Sequence, residues 1–399
     1  MKKIMILGAS ILQLPAILKA KEMGLRVIAV DMDKNSIGFK EAHVCLEIST
    51  IDIPKVVEAA KEFQVDGVIT LASDMPMRTV AAVAKEMGIA GISEDTAIKA
   101  TNKAFMREAL KAHEVPIPLF FRVTSKDDYA KYVKKFKSRC IVKPADNSGS
   151  RGVFLIEDLE NKRLVEHAFE YSKKFSRSGE IIIEEYMSGE EVSVEALSVD
   201  GEVHVIAITD KLTTGVPHFV EMGHSQPTHF SDEIKERIEQ VATMAIKAIG
   251  IENGPSHTEI MVTEEGPKIV EIGARLGGDN ITTHLTPLST GVNMVESCIK
   301  IALGEKPYLV PKFSKSSAIR YFRPKTGVLK SIDGVEVSKS VEGVQQVSFV
   351  KKIGDKVEAI NSSSDRIGFV IAQSDTAQGA IEICEKAMNL IDIVFIEGD

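Results

Sequence analysis

The sequence predicts a multidomain protein, α/β at its start and α+β thereafter. Three observations carry this. The 399 residues exceed what one simple core serves, and about two to four domains are the expectation for that length. Residues 1–93 alternate short apolar strands with helical segments, the pattern of a parallel sheet covered on both faces. From residue 190 onward, strand segments are instead joined by tight turns such as Asp200-Gly201, which is hairpin chemistry. The composition, 44% hydrophobic and 27% charged, is that of an ordinary globular protein. A net charge of −8 gives no electrostatic ground for nucleic-acid binding. Cys45, Cys140, Cys298 and Cys384 are far apart and form no CxxC pair. That argues against a zinc site or a disulfide framework and fits a reducing compartment.

Residues 2–8 (KKIMILG) read as a buried strand, 12–23 as a helix stopped by Gly24, and 26–31 as a second strand. VCLEI, a helix from Pro54 to Phe63, GVITL and a helix from Met75 to Met87 continue the alternation. The unit is Rossmann-like, yet it lacks the dinucleotide fingerprint. G-x-G-x-x-G needs two further glycines, and Gly8 is followed by Ala9-Ser10-Ile11-Leu12-Gln13. A nicotinamide oxidoreductase is disfavoured on that ground, although Asp31 stands where a ribose-binding acid would. Lys2, Lys3 and the apolar run after them resemble a signal peptide. Gln13 and Pro15 interrupt that run, and Lys19, Lys21 and Glu22 occupy the expected cleavage region. No apolar stretch reaches the ~20 residues of a membrane span. The expectation is a cytoplasmic protein with no membrane partner.

Residues 94–113 read as one helix containing Thr101-Asn102-Lys103, after which Pro116 and Pro118 break the chain. Phe120–Val123, a helix over 125–136 and the strand RCIVKP follow. That strand carries Lys143 at its end and leads into a polar glycine loop, residues 146–152 (DNSGSRG). Small residues let backbone N–H groups curve around phosphate oxygens, and the ammonium stands at the mouth of the loop. The P-loop pattern G-x-x-x-x-G-K-[ST] is absent. VFLIE, a helix from Leu164 to Tyr171 and the start of IIIEEYM complete a unit over 94–182. Residues 183–310 make the next unit, with the strands EVSVEALSV and EVHVIAI, a helix over 232–249 and another over 293–303. Within it, residues 210–230, rich in Thr, Gly, Pro and His, read as a long irregular segment of the functional kind. A C-terminal α+β domain occupies 311–399 and closes with a helix near 376–390.

The stretch His257–Gly278 (HTEIMVTEEGPKIVEIGARLGG) reads as two strands joined by the three-residue loop Glu264-Glu265-Gly266. Thr263 then faces Pro267, Val262 faces Lys268, Ile260 faces Val270, and Glu259 faces Glu271. Opposed carboxylates have Cβ atoms about 5 Å apart and repel unless something lies between them. Hard divalent cations take such oxygens at about 2.1 Å. Arg275, Gly277 and Gly278 follow at once, a cation on a tight turn suited to an anion.

Lys103, Lys143, the glycine loop, IIIEEYM, Glu259 and Glu271, in that order, resemble the ATP-grasp carboxylate–amine ligases. The resemblance spans residues 1–310, and the C-terminal part is similar to the third domain of those ligases. It implies an ATP-grasp fold whose two α+β subdomains close on ATP. It implies that Lys103 and Lys143 contact the phosphates and that Ser148, Gly149, Ser150 and Gly152 lie in the loop covering them. Glu184, Glu185, Tyr186 and Met187 match the hinge that binds adenine, with Glu184 accepting from its amino group. Glu191 matches the acid on the ribose, and Glu259 and Glu271 match the ligands of Mg²⁺, with Mn²⁺ the alternative cation. Arg275 and Lys143 match the cations at the reacting phosphate or acyl group. Glu221 and His224 are candidates for substrate contact; His257, which shares a strand face with Glu259, reads first as a satisfied structural histidine and second as a substrate contact. One position departs from the pattern. E-I-N-x-R carries Asn two residues after the second metal glutamate, and Gly273 stands there, so one oxygen is missing.

The implied reaction has two steps. A carboxylate attacks the γ-phosphorus of ATP to give an acyl phosphate and ADP, and an amine then displaces phosphate. The implied partners are a small carboxylate and a small amine, amino acids first among them, with a homodimer as the common assembly. The alternative within the family is a purine-pathway enzyme, a phosphoribosylglycinamide synthetase or a ribonucleotide-carboxylating synthetase. EIGARLGGD around Arg275 is closer to the amino-acid ligases than to the R-F-G-D-P pattern of the former. A non-catalytic ATP-binding protein is the reading that Gly273 alone favours.

Overall fold

Ile4, Met5, Ile6 and Leu7 are wholly buried in the strand Lys3–Leu7, which requires cover on both sheet faces. In this computed structural model, which describes residues 1–149, 151–215 and 219–396, the strand lies inside a four-stranded parallel sheet. The order is Val44–Glu47, Arg26–Asp31, Lys3–Leu7, Gly67–Ile69. The helices Leu14–Glu22, Ile53–Phe63 and Met77–Met87 alternate with these strands. Gly8 holds a left-handed φ of 98°, and a Cβ there would meet the Gln13 side chain at 2.8 Å. The Gln13 amide donates to the Leu71 carbonyl at 2.6 Å, so a side chain fills the space above the first turn.

Residues 94–113, which read as one helix, form two: Glu94–Thr101 and Lys103–Ala112. Asn102 leaves the helix at φ −135°, ψ 114°, and its side chain accepts from the Ala104 and Phe105 N–H groups. This is an N-cap. The Lys103 N–H then donates to the Ala145 carbonyl at 2.7 Å. Apolar periodicity runs through the break, so only the Asn itself signals it.

A small antiparallel sheet follows, in the order Phe120–Val123, Ile181–Glu185, Cys140–Pro144, Phe154–Ile156. It has a core of its own around Val123, Tyr129, Val142, Phe169 and Ile183.

The largest sheet has eight antiparallel strands. Its order is Gly266–Gly273, Gly254–Thr263, Glu190–Val199, Glu202–Thr213, Glu221–Gln226, Ser316–Tyr321, Gly368–Ser374, Val344–Phe349. Residues 210–213 and 221–226 of the segment 210–230 are thus strand, where the sequence reads as irregular. The strand of Glu202 runs on to Thr213 and pairs with Glu221–Gln226. EMGHSQ hides its strand character because it does not alternate apolar and polar residues. Gly223 sits under Arg320, whose side chain a Cβ would meet at 2.7 Å. A register shift pairs Leu212 with Gly223 but Thr213 with Glu221. It leaves Met222 unmatched and turns Glu221 and His224 to the same face.

The hairpin also differs from its expected register. Thr263 pairs with Gly266, Val262 with Pro267 and Ile260 with Ile269, so the turn is the two residues Glu264-Glu265. A bulge at Val270 then restores the count, and Glu259 does face Glu271. The bulged Val270 carbonyl accepts from Arg107 Nη2 at 2.8 Å, a contact that regular pairing of this strand does not anticipate.

Strands on both sides of residue 310 share the large sheet. The helix Ala377–Met388 packs on it, and a three-stranded sheet of Lys356–Val357, Gly327–Asp333 and Asp392–Ile396 completes the C-terminal domain. One hydrophobic cluster joins Met5, Leu7 and Ile28 of the first domain to Val194, Ile246 and Ile260 of the central one. The architecture is multidomain α/β and α+β, with N-terminal, central and C-terminal parts. No described helix is long and apolar enough to cross a membrane.

Candidate active site

Glu259 and Glu271 face each other across the hairpin, and the next strand places Ser193 beside Glu259 and Glu195 beside His257. All point to one face of the large sheet. Cations relieve the repulsion. Lys211 Nζ lies 2.8 Å from Glu259 Oε1, 2.6 Å from Glu191 Oε1 and 3.7 Å from Glu221 Oε1. Burial opposes the Lys211 charge, yet the three carboxylates raise its pKa well above the ordinary value. Burial likewise opposes the Glu259 charge, and Lys211 and His257 together hold its carboxyl well below the usual range. Glu191 moves the other way: burial and the nearby Glu259 push it up despite Lys211. Lys103 Nζ reaches Glu271 Oε1 and the Asn147 carbonyl, each at 2.7 Å, and so ties the hairpin to the glycine loop.

His257 Nδ1 is 2.6 Å from Glu195 Oε1, and its Nε2 is 3.7 Å from Glu259 Oε1. Burial disfavours the imidazolium, but Glu195 outweighs it and raises the pKa to about 9. A Cβ at Gly277 would meet His257 Nδ1 at 2.7 Å and Glu195 Oε2 at 2.8 Å, so the tight turn after Arg275 leaves room for this pair. Arg275 Nε is 2.8 Å from Asp74 Oδ1, a carboxylate of the first domain.

Lys143 Nζ lies 2.6 Å from Glu184 Oε2, and Arg107 Nε lies 2.5 Å from Glu184 Oε1. With Arg107 1%, Glu184 4% and Lys143 7% exposed, this is a buried triad. Burial raises the Glu184 pKa, but the two cations overcome it and hold the carboxyl at about 2. Burial lowers the Lys143 pKa, and Glu184 only partly restores it. Gly149 and Gly152 adopt φ of 67° and 81°. A Cβ on Gly152 would run into Phe175 at 2.6 Å and Pro144 at 2.7 Å. Ser148 N–H donates to Asn147 Oδ1 at 2.9 Å, while Ser150 lies outside the described residues. At the hinge, the Glu185 and Tyr186 N–H groups donate to the Leu119 and Arg139 carbonyls at 2.8 and 3.2 Å. Met187 follows directly.

The far end of the same sheet face is closed by C-terminal residues. Arg366 grips Asp279 through two bonds of 2.7 and 2.6 Å, and its guanidinium carbon lies 3.8 Å from the Tyr321 ring centroid. His224 Nε2 is 3.3 Å from Asp279 Oδ2, and Ser363 Oγ donates to Glu221 at 3.1 Å. Glu221 therefore borders both Lys211 and the C-terminal domain.

A family model described as the ATP-grasp domain matches residues 136–283, and one described as L-amino acid ligase C-terminal domain 2 matches residues 320–395. The uncharacterized protein y4rH of Sinorhizobium fredii (strain NBRC 101917 / NGR234) is 30% identical over 337 residues, which cover 83% of this chain and 69% of that one. The chain belongs to the ATP-grasp superfamily of carboxylate–amine ligases. As an ATP-grasp ligase it is an enzyme that forms a C–N bond. Two solved structures share the whole fold. The L-amino acid ligase from Bacillus licheniformis superposes with a TM-score of 0.85 at 23% identity, covering 100% of this chain and 99% of that one. The phosphoribosylglycinamide synthetase from Anaerococcus prevotii superposes with 0.81 at 22% identity, covering 99% and 100%.

Several groups in this ATP-grasp site have no place in the sequence reading: Lys211, Asp74, Arg107, Glu195, Asp279 and Arg366. Asp74 follows the end of a parallel strand, where ligands collect in such sheets, and that signal could have found it. Lys211 is a lone cation in a strand. Glu195 follows Glu191 by four residues on one strand, and Asp279 closes EIGARLGGD, so both had a signal; Arg107 and Arg366 had none.

Proposed function

We propose that this ATP-grasp ligase joins a small carboxylate, an amino acid, to an amine through an acyl phosphate, releasing ADP and phosphate. One observation carries the reading. The facing carboxylates Glu259 and Glu271 meet Lys211 from the same sheet and Lys103 from a helix, with Arg275 following the second strand, so that separate parts of the chain bring cations to one carboxylate pair. Two carboxylates in register suit a Mg²⁺ that arrives with nucleotide. That ion keeps waters and phosphate oxygens among its ligands and does not need an all-protein cage. No group of three metal-binding side chains occurs among the described residues. When bound, the cation would neutralise phosphate oxygens.

The chain's own groups do the rest by position and charge. Lys103 and Lys211, now on Glu271 and Glu259, would be available to anionic oxygens if a cation were held by those carboxylates. Lys143, held by Glu184, stands beside the glycine loop. Arg275 faces the negative charge that develops on the acyl phosphate. The loop over 147–152 keeps water from that intermediate.

The match of residues 320–395 to an L-amino acid ligase domain supports amino acids as substrates. The comparable likeness to a phosphoribosylglycinamide synthetase supports the purine-pathway reading as the second. Phosphate release from ATP across an array of amino acids, singly and in pairs, with glycine plus phosphoribosylamine included, separates them. Stimulation by an amino-acid pair is the expected result. Stimulation by the ribosylamine pair alone overturns it in favour of the second reading, and ATP binding with no turnover anywhere would leave a non-catalytic protein.

A further inference from the structure

We propose that Asp74 is a positioning residue of the reaction centre, delivered by the N-terminal domain through the opening that Gly273 leaves; this rests on the ligase reading above. The segment carrying Asp74 is fixed against the one carrying Arg275. Leu71 forms a parallel bridge with Leu276, and the Ala72 N–H donates to the Leu276 carbonyl at 3.3 Å. Ala72 adopts a φ of 54°, a left-handed conformation that persists in an alanine only where its surroundings impose it. The chain so held places Asp74 Oδ1 2.8 Å from Arg275 Nε, with the two side chains 14% and 16% exposed.

Gly273 is what makes the contact sterically available. A Cβ on residue 273 would lie 3.0 Å from Asp74 Oδ1 and 3.4 Å from Arg275 Nε. The carboxylate therefore stands where a side chain on residue 273 would project. An asparagine at residue 273 and Asp74 in its present position therefore compete for the same space, and one of the two side chains has to shift. Asp74 also lines one small cavity with Glu271, Lys103, Asn147 and Ser148. The oxygen missing at residue 273 is thus returned from another domain, as a full charge in place of an amide dipole. Two consequences follow for the reaction: the Arg275 guanidinium is fixed by a carboxylate at its Nε, and an acidic oxygen lines the same cavity as Glu271.

Exchange of the two positions tests this. Asp74→Ala, Gly273→Asn, the double variant and Glu271→Gln are compared with the parent chain. Mn²⁺ affinity in the presence of a non-hydrolysable ATP analogue is read by electron paramagnetic resonance, and kcat and KM for ATP are read by phosphate release. Each of the two single changes is expected to weaken Mn²⁺ binding and kcat roughly tenfold or more, the usual effect of losing a group that orients a metal site. KM for ATP should change much less. The double variant should recover much of both losses, because the asparagine supplies the oxygen and its room has been vacated. Should Asp74→Ala fail to fold, Asp74→Ser, which also shortens the side chain and clears the space beside residue 273, takes its place in both the single and the double variant, with the same expectation. A double variant no better than the worse single overturns the proposal. Loss of Mn²⁺ binding in Glu271→Gln with none in the Asp74 variant overturns the role of Asp74 alone. Unchanged binding in Glu271→Gln overturns the ligase reading of the site and this inference with it.

Discussion

Glu184 has both carboxylate oxygens engaged, one by Arg107 and one by Lys143, and this fixes how it responds to acid. Its pKa is depressed from 4.5 to about 2. The stabilisation it gives is fully present above the unfolded value and is lost as pH falls through the folded one. The window is therefore pH 4.5 to about 2, and the contribution is on the order of 3 kcal/mol. Denaturant unfolding of the parent chain and of Glu184→Gln, measured from neutral pH downward, should show a difference that shrinks across that window. A difference independent of pH would remove the ion-pair account. IIIEEYM marks Glu184 as a candidate site residue, but nothing in it points to the partners that the structure gives it. Arg107 comes from a helix 77 residues away, and nothing in the spacing of either segment refers to the other. The same holds for Lys211 with Glu259 and for Arg366 with Asp279. Even within one hairpin the count reaches Glu259 and Glu271 only because a shorter turn and a bulge cancel, and charges brought together by tertiary packing leave nothing to count.

At the scale of elements, the helix break at Asn102 places Lys103. The Asn side chain caps the second helix, and Lys103 then reaches Glu271 and the Asn147 carbonyl. Asn102→Ala removes the cap and should cost about 1 kcal/mol. It should also raise KM for ATP severalfold, because Lys103 loses its fixed start. A urea midpoint and a KM measured on the same preparation check both, and an unchanged KM would show that the cap does not position Lys103. Among the elements, parallel strands and amphipathic helices were readable because their periods are regular. The strand Glu221–Gln226 was not, because its composition reflects what it touches: Arg320 over Gly223 on one side, Lys211 and Asp279 beside Glu221 and His224 on the other.

The whole molecule divides by its cores. The small sheet between Phe120 and Glu185 has a cluster to itself, whereas the first domain shares its apolar interior with the central one. Met5, Leu7 and Ile28 belong to the same cluster as Val194, Ile246 and Ile260. A fragment of residues 1–93 is thus expected to lack a cooperative thermal transition by circular dichroism, while the full chain unfolds these two domains together. A sharp transition in the fragment would show that the first domain stands alone. The small sheet, free of that shared interior, is the part suited to rigid-body closure over nucleotide. Small-angle scattering should then register a contraction on adding an ATP analogue with Mg²⁺. The domain sequence was readable from the pattern of strands and helices, but the shared interior was not, since a strand buried on both faces does not record which domain covers it.

The hairpin holds two offsets of opposite sign: a turn one residue shorter than expected and one extra residue at Val270. They cancel at Glu259 and Glu271. A relative with a three-residue turn and no bulge would present the same carboxylates in the same register, so the pair tolerates drift in loop length. The bulge has a second client, however, since its carbonyl receives Arg107, and Arg107 in turn clamps Glu184. Loop length at the tip of the hairpin and the seating of a carboxylate in the neighbouring subdomain are therefore inherited together. A lineage that lengthened the turn and regularised the strand would keep its facing glutamates and have to find Arg107 a new acceptor.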